Sequence, residues 1–233
     1  MFNNTYARTT VYNLPILPYV CNLTITGDNK RILAEAATDF VFSFYRSMEN
    51  VIVFDAYNLF KNLANSKNIF VTNNTDFMNL YLKYLIKNKA KSNFYLVILN
   101  AHKLKQELIL KLLRQNNKFV KLVLFYNNYV EELQDIVFNT QEVVFFKTLN
   151  NNFIELSSKL CLECDVSIPF LLGKMKGFIV CDMQNRLCEF YKANLGLKSH
   201  LIYNEITEVL EILLKKGIKN GWKDYRKMYK MRW

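Results

Sequence analysis

Six short runs rich in Val, Ile and Phe recur along the first two thirds of the chain, each separated from the next by a segment of helical period. This alternation constrains the fold more than any other feature. The runs predict strands at Asn22 to Thr26, Val51 to Phe54, Ile69 to Val71, Tyr95 to Asn100, Lys121 to Tyr126 and Val143 to Phe146. Between them the apolar spacing predicts helices at Lys30 to Arg46, Ala56 to Ala64, Thr75 to Asn88, Lys103 to Gln115 and Val130 to Val137. Strands that alternate with helices imply an α/β layer fold on a parallel sheet.

After Thr148 no strand-like run is apparent. The segments Phe153 to Cys164, Ile168 to Lys174, Phe178 to Leu195 and Asn204 to Lys216 all read as helices. The expected organisation is an α/β core over 1–148, a C-terminal α-helical lid over 149–216 and a basic aromatic tail over 217–233, with Asn150 to Asn152 as the joint. The stripe Phe77, Leu80, Tyr84 and Leu85 follows helical spacing and reads as core.

The chain has 233 residues, about half of them apolar, enough for one sizeable core. No apolar run approaches the ~20 residues that a membrane-crossing helix needs, and the first residues lack the pattern of a secretory signal. Five cysteines form no framework spacing, which suits a reducing compartment. A cytoplasmic protein without membrane contact is the expectation. Cys161, Cys164, Cys181 and Cys188 sit among apolar neighbours in segments read as helical, so they are expected to pack in the core and to bind no metal.

The formal net charge of +11 is unevenly placed. Eight Lys or Arg lie between Lys215 and Trp233 with Asp224 as the sole acid, and Trp222, Tyr225, Tyr229 and Trp233 are interleaved with Lys223, Arg226, Lys227 and Lys230. Such a segment would either pack its rings on the lid, the favoured expectation, or lie on nucleic acid, an acidic partner or an anionic membrane surface, with those four basic residues as the nucleic-acid contacts.

Parallel sheets bind phosphates where a Gly-rich loop joins a strand to a helix, because Gly lets backbone N–H groups approach the anion. The candidate is NLTITGDNKRILAEAA, with Gly27 and Lys30. The loop is too short, lacks a second Gly, has Arg31 and Ile32 after the Lys, and places Asp28 beside the phosphates. In FYLVILNAHKL, Phe94 to Leu104, the places where nucleotide hydrolases carry two acids hold Leu99 and Asn100. Leu99 cannot ligate magnesium and Asn100 cannot act as a general base. A residual ATPase would have to use Lys30 with water placed by Asn100 or His102.

VILNAHKL, then LVLFYNNYVEELQDIVF, then IPFLLGKMKGFIVCDMQNRLCEFYKANLGLKSHLIYNEITEVL resembles, over most of Tyr95 to Leu214, an AAA+ domain of the DnaA/Hda type. The resemblance implies an acidic strand, a sensor strand, an arginine-finger loop and a helical lid. Lys176 falls at the lid's sensor position, and VFNTQ stands at the finger position without an Arg. It implies a role in chromosomal replication initiation or its negative regulation, with the initiator DnaA or the sliding clamp as partner. Clamp contact would run through Leu14, Pro15 and Ile16 of VYNLPI, where Val11 replaces the family's Gln. The clamp-loader delta-prime subunit is a second relative of this kind, and its collar domain has no counterpart here. With its motifs degenerate, the chain is expected to be a binding protein rather than an enzyme and to need no cofactor. Bound ADP or ATP without hydrolysis is the alternative, through at most Gly27, Lys30 and Lys176.

Overall fold

The computed structural model describes residues 22–46, 49–63, 67–88, 90, 92–115, 117–146, 148–160, 177–183 and 187–192. Leu14, Pro15, Ile16, Cys161, Cys164, Lys176, Lys223, Arg226, Lys227 and Lys230 lie outside them, as do the helices expected at Ile168 to Lys174 and Asn204 to Lys216.

Strands β1 (Leu23–Thr26), β2 (Val51–Phe54), β3 (Ile69–Thr72), β4 (Phe94–Ile98), β5 (Val120–Tyr126) and β6 (Glu142–Phe146) are joined through helices α1 (Lys30–Arg46), α2 (Thr75–Lys87), α3 (Gln106–Arg114) and α4 (Leu133–Phe138). Helix α5 (Asn151–Leu160) and strands β7 (Gly177–Asp182) and β8 (Leu187–Lys192) follow. One sheet has the order β3-β2-β4-β5-β1-β6-β7-β8. The first six of these pair in parallel, and β7 and β8 add to the β6 edge antiparallel. The expected α/β parallel-sheet core is therefore present.

Each face of the sheet buries its own core, and strand alternation sorts the residues between them. Helix α1 covers one face with Leu33, Ala36, Ala37, Phe40, Val41 and Phe44, which meet Leu23, Ile25, Val97, Leu99, Val123 and Phe125. The i, i+3, i+4 recurrence of those helical residues is why Lys30 to Arg46 forms one helix. Helices α2 to α5 cover the other face, where Met78, Ile109, Ile136 and Phe153 join Leu96, Ile98, Leu124 and Val143.

Three expectations need correction. Phe178 to Leu195 is no helix: β7 pairs with β6 in the register Val143↔Cys181 and Phe145↔Ile179, and β8 pairs with β7. The segment expected to be lid thus gives two strands to the sheet. β6 would otherwise end the sheet with unpaired N–H and C=O groups, and GFIVCD supplies the alternation that pairs with it: Phe178 and Val180 join the α1 core, Ile179 and Cys181 the opposite one.

Ala56 to Ala64 is not an α-helix either. The Asp55 carboxylate accepts the N–H groups of Tyr57 (3.2 Å) and Phe60 (2.8 Å), Asn58 adopts a left-handed φ of 58°, and only Lys61–Leu63 makes a 3-10 turn. Local side-chain hydrogen bonds compete here with the helical ladder.

On α2 the expected core stripe points mostly outward. Leu85 is buried, but Phe77 (43%), Leu80 (65%) and Tyr84 (58%) are exposed, and Met78 and Leu82 fill the core instead.

Candidate functional site

Because β1 to β6 are parallel, their C-terminal ends lie on one edge of the sheet, the edge where such folds place ligands. The segments that leave this edge are Gly27 to Asn29 after β1, Asp55 after β2, Asn73 and Asn74 after β3, Leu99 and Asn100 after β4, Asn127 and Asn128 after β5, and Thr148 after β6. Strand β5 separates β4 from β1.

The turn between β1 and α1 is only residues 27–29 long. Gly27 N–H donates to the Tyr126 carbonyl at 3.1 Å. A Cβ at Gly27 would come within 3.1 Å of the Phe146 Cβ, so the glycine is explained by the close approach of β6. Asn29 Oδ1 accepts the N–H groups of Arg31 (3.1 Å) and Ile32 (3.2 Å), which caps α1 from within the chain. Asp28 Oδ2 accepts the Thr148 hydroxyl and the Leu149 N–H, both at 2.9 Å, fastening the turn to the strand exit 120 residues later. Two of the donors a phosphate would use at this helix start, the N–H groups of Arg31 and Ile32, are engaged by Asn29. A carboxylate about 4 Å from a phosphate would cost about 4 kcal/mol at an effective dielectric of 20. The turn does not fit a triphosphate.

Leu99 is 1% exposed, packed in the α1-side core, and its N–H donates to the Phe54 carbonyl at 2.9 Å. Asn100 is buried in a left-handed conformation with φ 55° and ψ 50°, and its Oδ1 accepts the Tyr57 hydroxyl. Burial raises the Tyr57 phenol above its ordinary value, with the Asn100 bond acting against it. One of these two places is thus apolar packing and the other a hydrogen-bonded amide. Among the described residues no cluster of three His, Cys, Asp or Glu is placed to hold a metal. Asp55, the acid at the end of β2, already accepts two backbone N–H groups. Cys181 is a buried core residue on β7.

His102 starts the 3-10 turn after β4 together with Ala101 and Lys103. Its Nε2 lies 3.3 Å from Asn128 Nδ2; the amide donates, which leaves the ring proton on Nδ1. Desolvation, then Lys103, then Lys30 hold the imidazole below its ordinary value, so it is neutral at pH 7. Lys30 itself is exposed and acts on the ring across the crevice. His102 Nδ1 and Asn127 Oδ1 are buried polar atoms without a hydrogen-bond partner among the described residues.

Behind this edge Gln106 forms a buried network. Its Nε2 donates to the carbonyls of Ala101 (2.8 Å) and Leu104 (2.7 Å), and its Oε1 accepts the Tyr126 hydroxyl at 2.7 Å. The network pins the segment carrying Asn100 and His102 to β5. Burial and then Glu132 push the Tyr126 phenol far above its ordinary range. Gly27, Lys30, Asn100 and His102 stand out in the sequence by motif position, whereas Asp55, Tyr57, Asn127 and Gln106 belong to no motif. An Asp directly after VIVF and an Asn pair directly after LVLFY were the available signals, since polar residues at strand exits cap the turns that follow.

No protein-family model matches the chain, and no curated sequence matches it. Solved structures do. The DNA-packaging ATPase B204 of Sulfolobus Turreted Icosahedral Virus superposes with a TM-score of 0.55 at 15% identity, covering 74% of this chain and 97% of that one. The genome packaging NTPase B204 of Sulfolobus turreted icosahedral virus 2, in complex with ATP-gammaS, gives a TM-score of 0.57 at 13% identity, covering 76% and 98%. The chain shares the mostly parallel α/β fold of these proteins. These likenesses do not single out the DnaA/Hda type.

Proposed function

We propose that this chain is a DNA-handling binding protein built on a P-loop NTPase frame and without ATP hydrolysis. The observation that carries the reading is the state of the two chemical positions. Leu99 provides no magnesium ligand and Asn100, its Oδ1 engaged by the Tyr57 hydroxyl, provides no general base, while Asn29 and Asp28 occupy the turn where a triphosphate would be cradled. His102, neutral and held by Asn128, is a poor substitute for a carboxylate base. Calorimetry with ATP and magnesium, paired with a phosphate-release assay, tests this. The expected result is neither magnesium-dependent binding in the micromolar range nor turnover; micromolar, magnesium-dependent affinity overturns it and restores the residual ATPase that uses Lys30.

Two roles within this class have support of different kinds. The similar solved structures are viral DNA- or genome-packaging enzymes, which favours an auxiliary part in moving or packaging DNA. The triplet Leu14, Pro15 and Ile16 favours the replication-regulator role, with DnaA or the sliding clamp as partner and the tail residues Lys223, Arg226, Lys227 and Lys230 on DNA. A pull-down from the native cell, probed for initiator and clamp, separates them: recovery of either supports the regulator, and recovery of neither leaves the packaging role.

A further inference from the structure

Helix α2 carries a second apolar stripe that is mostly exposed, with Tyr81 packed in part against the core. Phe77, Tyr81 and Tyr84 line up along its outer side, with ring centroids 6.3 Å apart at each step and interplanar angles of 5° and 20°. Phe70, on the edge strand β3, extends the row at 5.7 Å from Phe77. Phe70, Phe77 and Tyr84 are between 43% and 58% exposed, and Leu80 beside them is 65% exposed. Lys83 and Lys87 are exposed on the same helix, both on the Leu80 side of the row, and neither pairs with an acid among the described residues.

We propose that this row is a stacking platform for single-stranded nucleic acid, with the rings taking bases and Lys83 and Lys87 taking backbone phosphates. The proposal rests on the DNA-handling reading for the choice of partner, but not on the state of the ATP crevice. Every base offers a π-face, so aromatic rows bordered by cations bind single strands with little sequence preference. Charge argues against a second copy of this chain as the occupant. An isologous contact would bring the partner's equivalent lysines close to Lys83 and Lys87 with only Asp76 nearby on the helix to offset them. Lysine is also depleted at the centre of protein interfaces.

The test is fluorescence anisotropy of a labelled oligothymidine with the full chain at physiological salt, set against Phe77→Ala/Tyr84→Ala and Phe77→Tyr. Both rings are exposed, so the double variant should keep the parent's circular dichroism and melting temperature. The double variant is expected to bind about five- to a hundredfold more weakly, with Phe77→Tyr close to the parent. Unchanged affinity in the double variant places binding elsewhere and overturns the platform while leaving the DNA-handling reading intact. No retention of oligothymidine by the parent overturns the platform, and retention of neither single strand nor duplex overturns the DNA-handling reading as well. An equal loss on a duplex of the same length overturns stacking, and a parent dimer that the double variant dissociates makes the row a self-contact instead.

Discussion

His102 has two cations for company and a hydrogen bond that leaves its proton on the buried nitrogen. Its folded-state pKa lies below the ordinary 6.5, so as pH falls the unfolded chain takes up this proton first. Stability linked to His102 is complete above that ordinary value and is lost as pH falls towards the folded pKa. Two expected outcomes follow. By proton NMR, the His102 ring, one of only two histidines in the chain, titrates below 6.5. The melting temperature drops more between pH 7 and pH 5.5 in the parent than in His102→Gln, whose amide does not titrate. At this scale the sequence was informative about what is missing, because Leu99 has no atom that ligates magnesium and Asn100 has no carboxylate to act as a general base. It was uninformative about Asp28, whose carboxylate finds Thr148 and Leu149 only when β1 and β6 lie side by side.

Helix α2 shows what periodicity leaves undecided. Thr75–Lys87 has two apolar stripes at helical spacing, Met78, Leu82 and Leu85 on one side and Phe77, Leu80, Tyr81 and Tyr84 on another. Spacing identifies the helix, but the sheet selects the inward stripe. Leu82→Ala should therefore cost about 2–5 kcal/mol by leaving a cavity, while Leu80→Ala should stay within about 0.5 kcal/mol. Urea denaturation of the two variants checks this, and equal losses would place Leu80 in the core. The Ala56 to Ala64 expectation failed for a related reason, since the apolar pattern fits a helix while the Asp55 side chain closes a different turn.

Across the whole molecule, β7 and β8 extend the sheet beyond β6 and lay Phe178 against Phe146, with ring centroids 5.4 Å apart. Ending the chain after Leu160 would strip β6 of its antiparallel partner and uncover Val144 and Phe146. Exposed apolar edge strands recruit other chains. Sedimentation velocity should therefore show the truncated chain self-associating at concentrations where the full chain does not. If it behaves as the full chain does, the hairpin is an appendage rather than part of the sheet.

The alternation of strand and helix, the bounds of α1 and β2, and the absence of acids at Leu99 and Asn100 were all contained in the sequence. Each depends on residues within one turn or one strand of each other, so local spacing expresses it. Tertiary structure decided the rest: that 177–192 joins the sheet, which face of α2 is buried, and that Asp28 closes the phosphate turn. Those outcomes depend on partners such as Thr24 with Thr140, 116 residues apart, or Asp28 with Thr148, 120 residues apart. Pairings over such distances are set by which strands lie adjacent, and periodicity along the chain carries no record of that order.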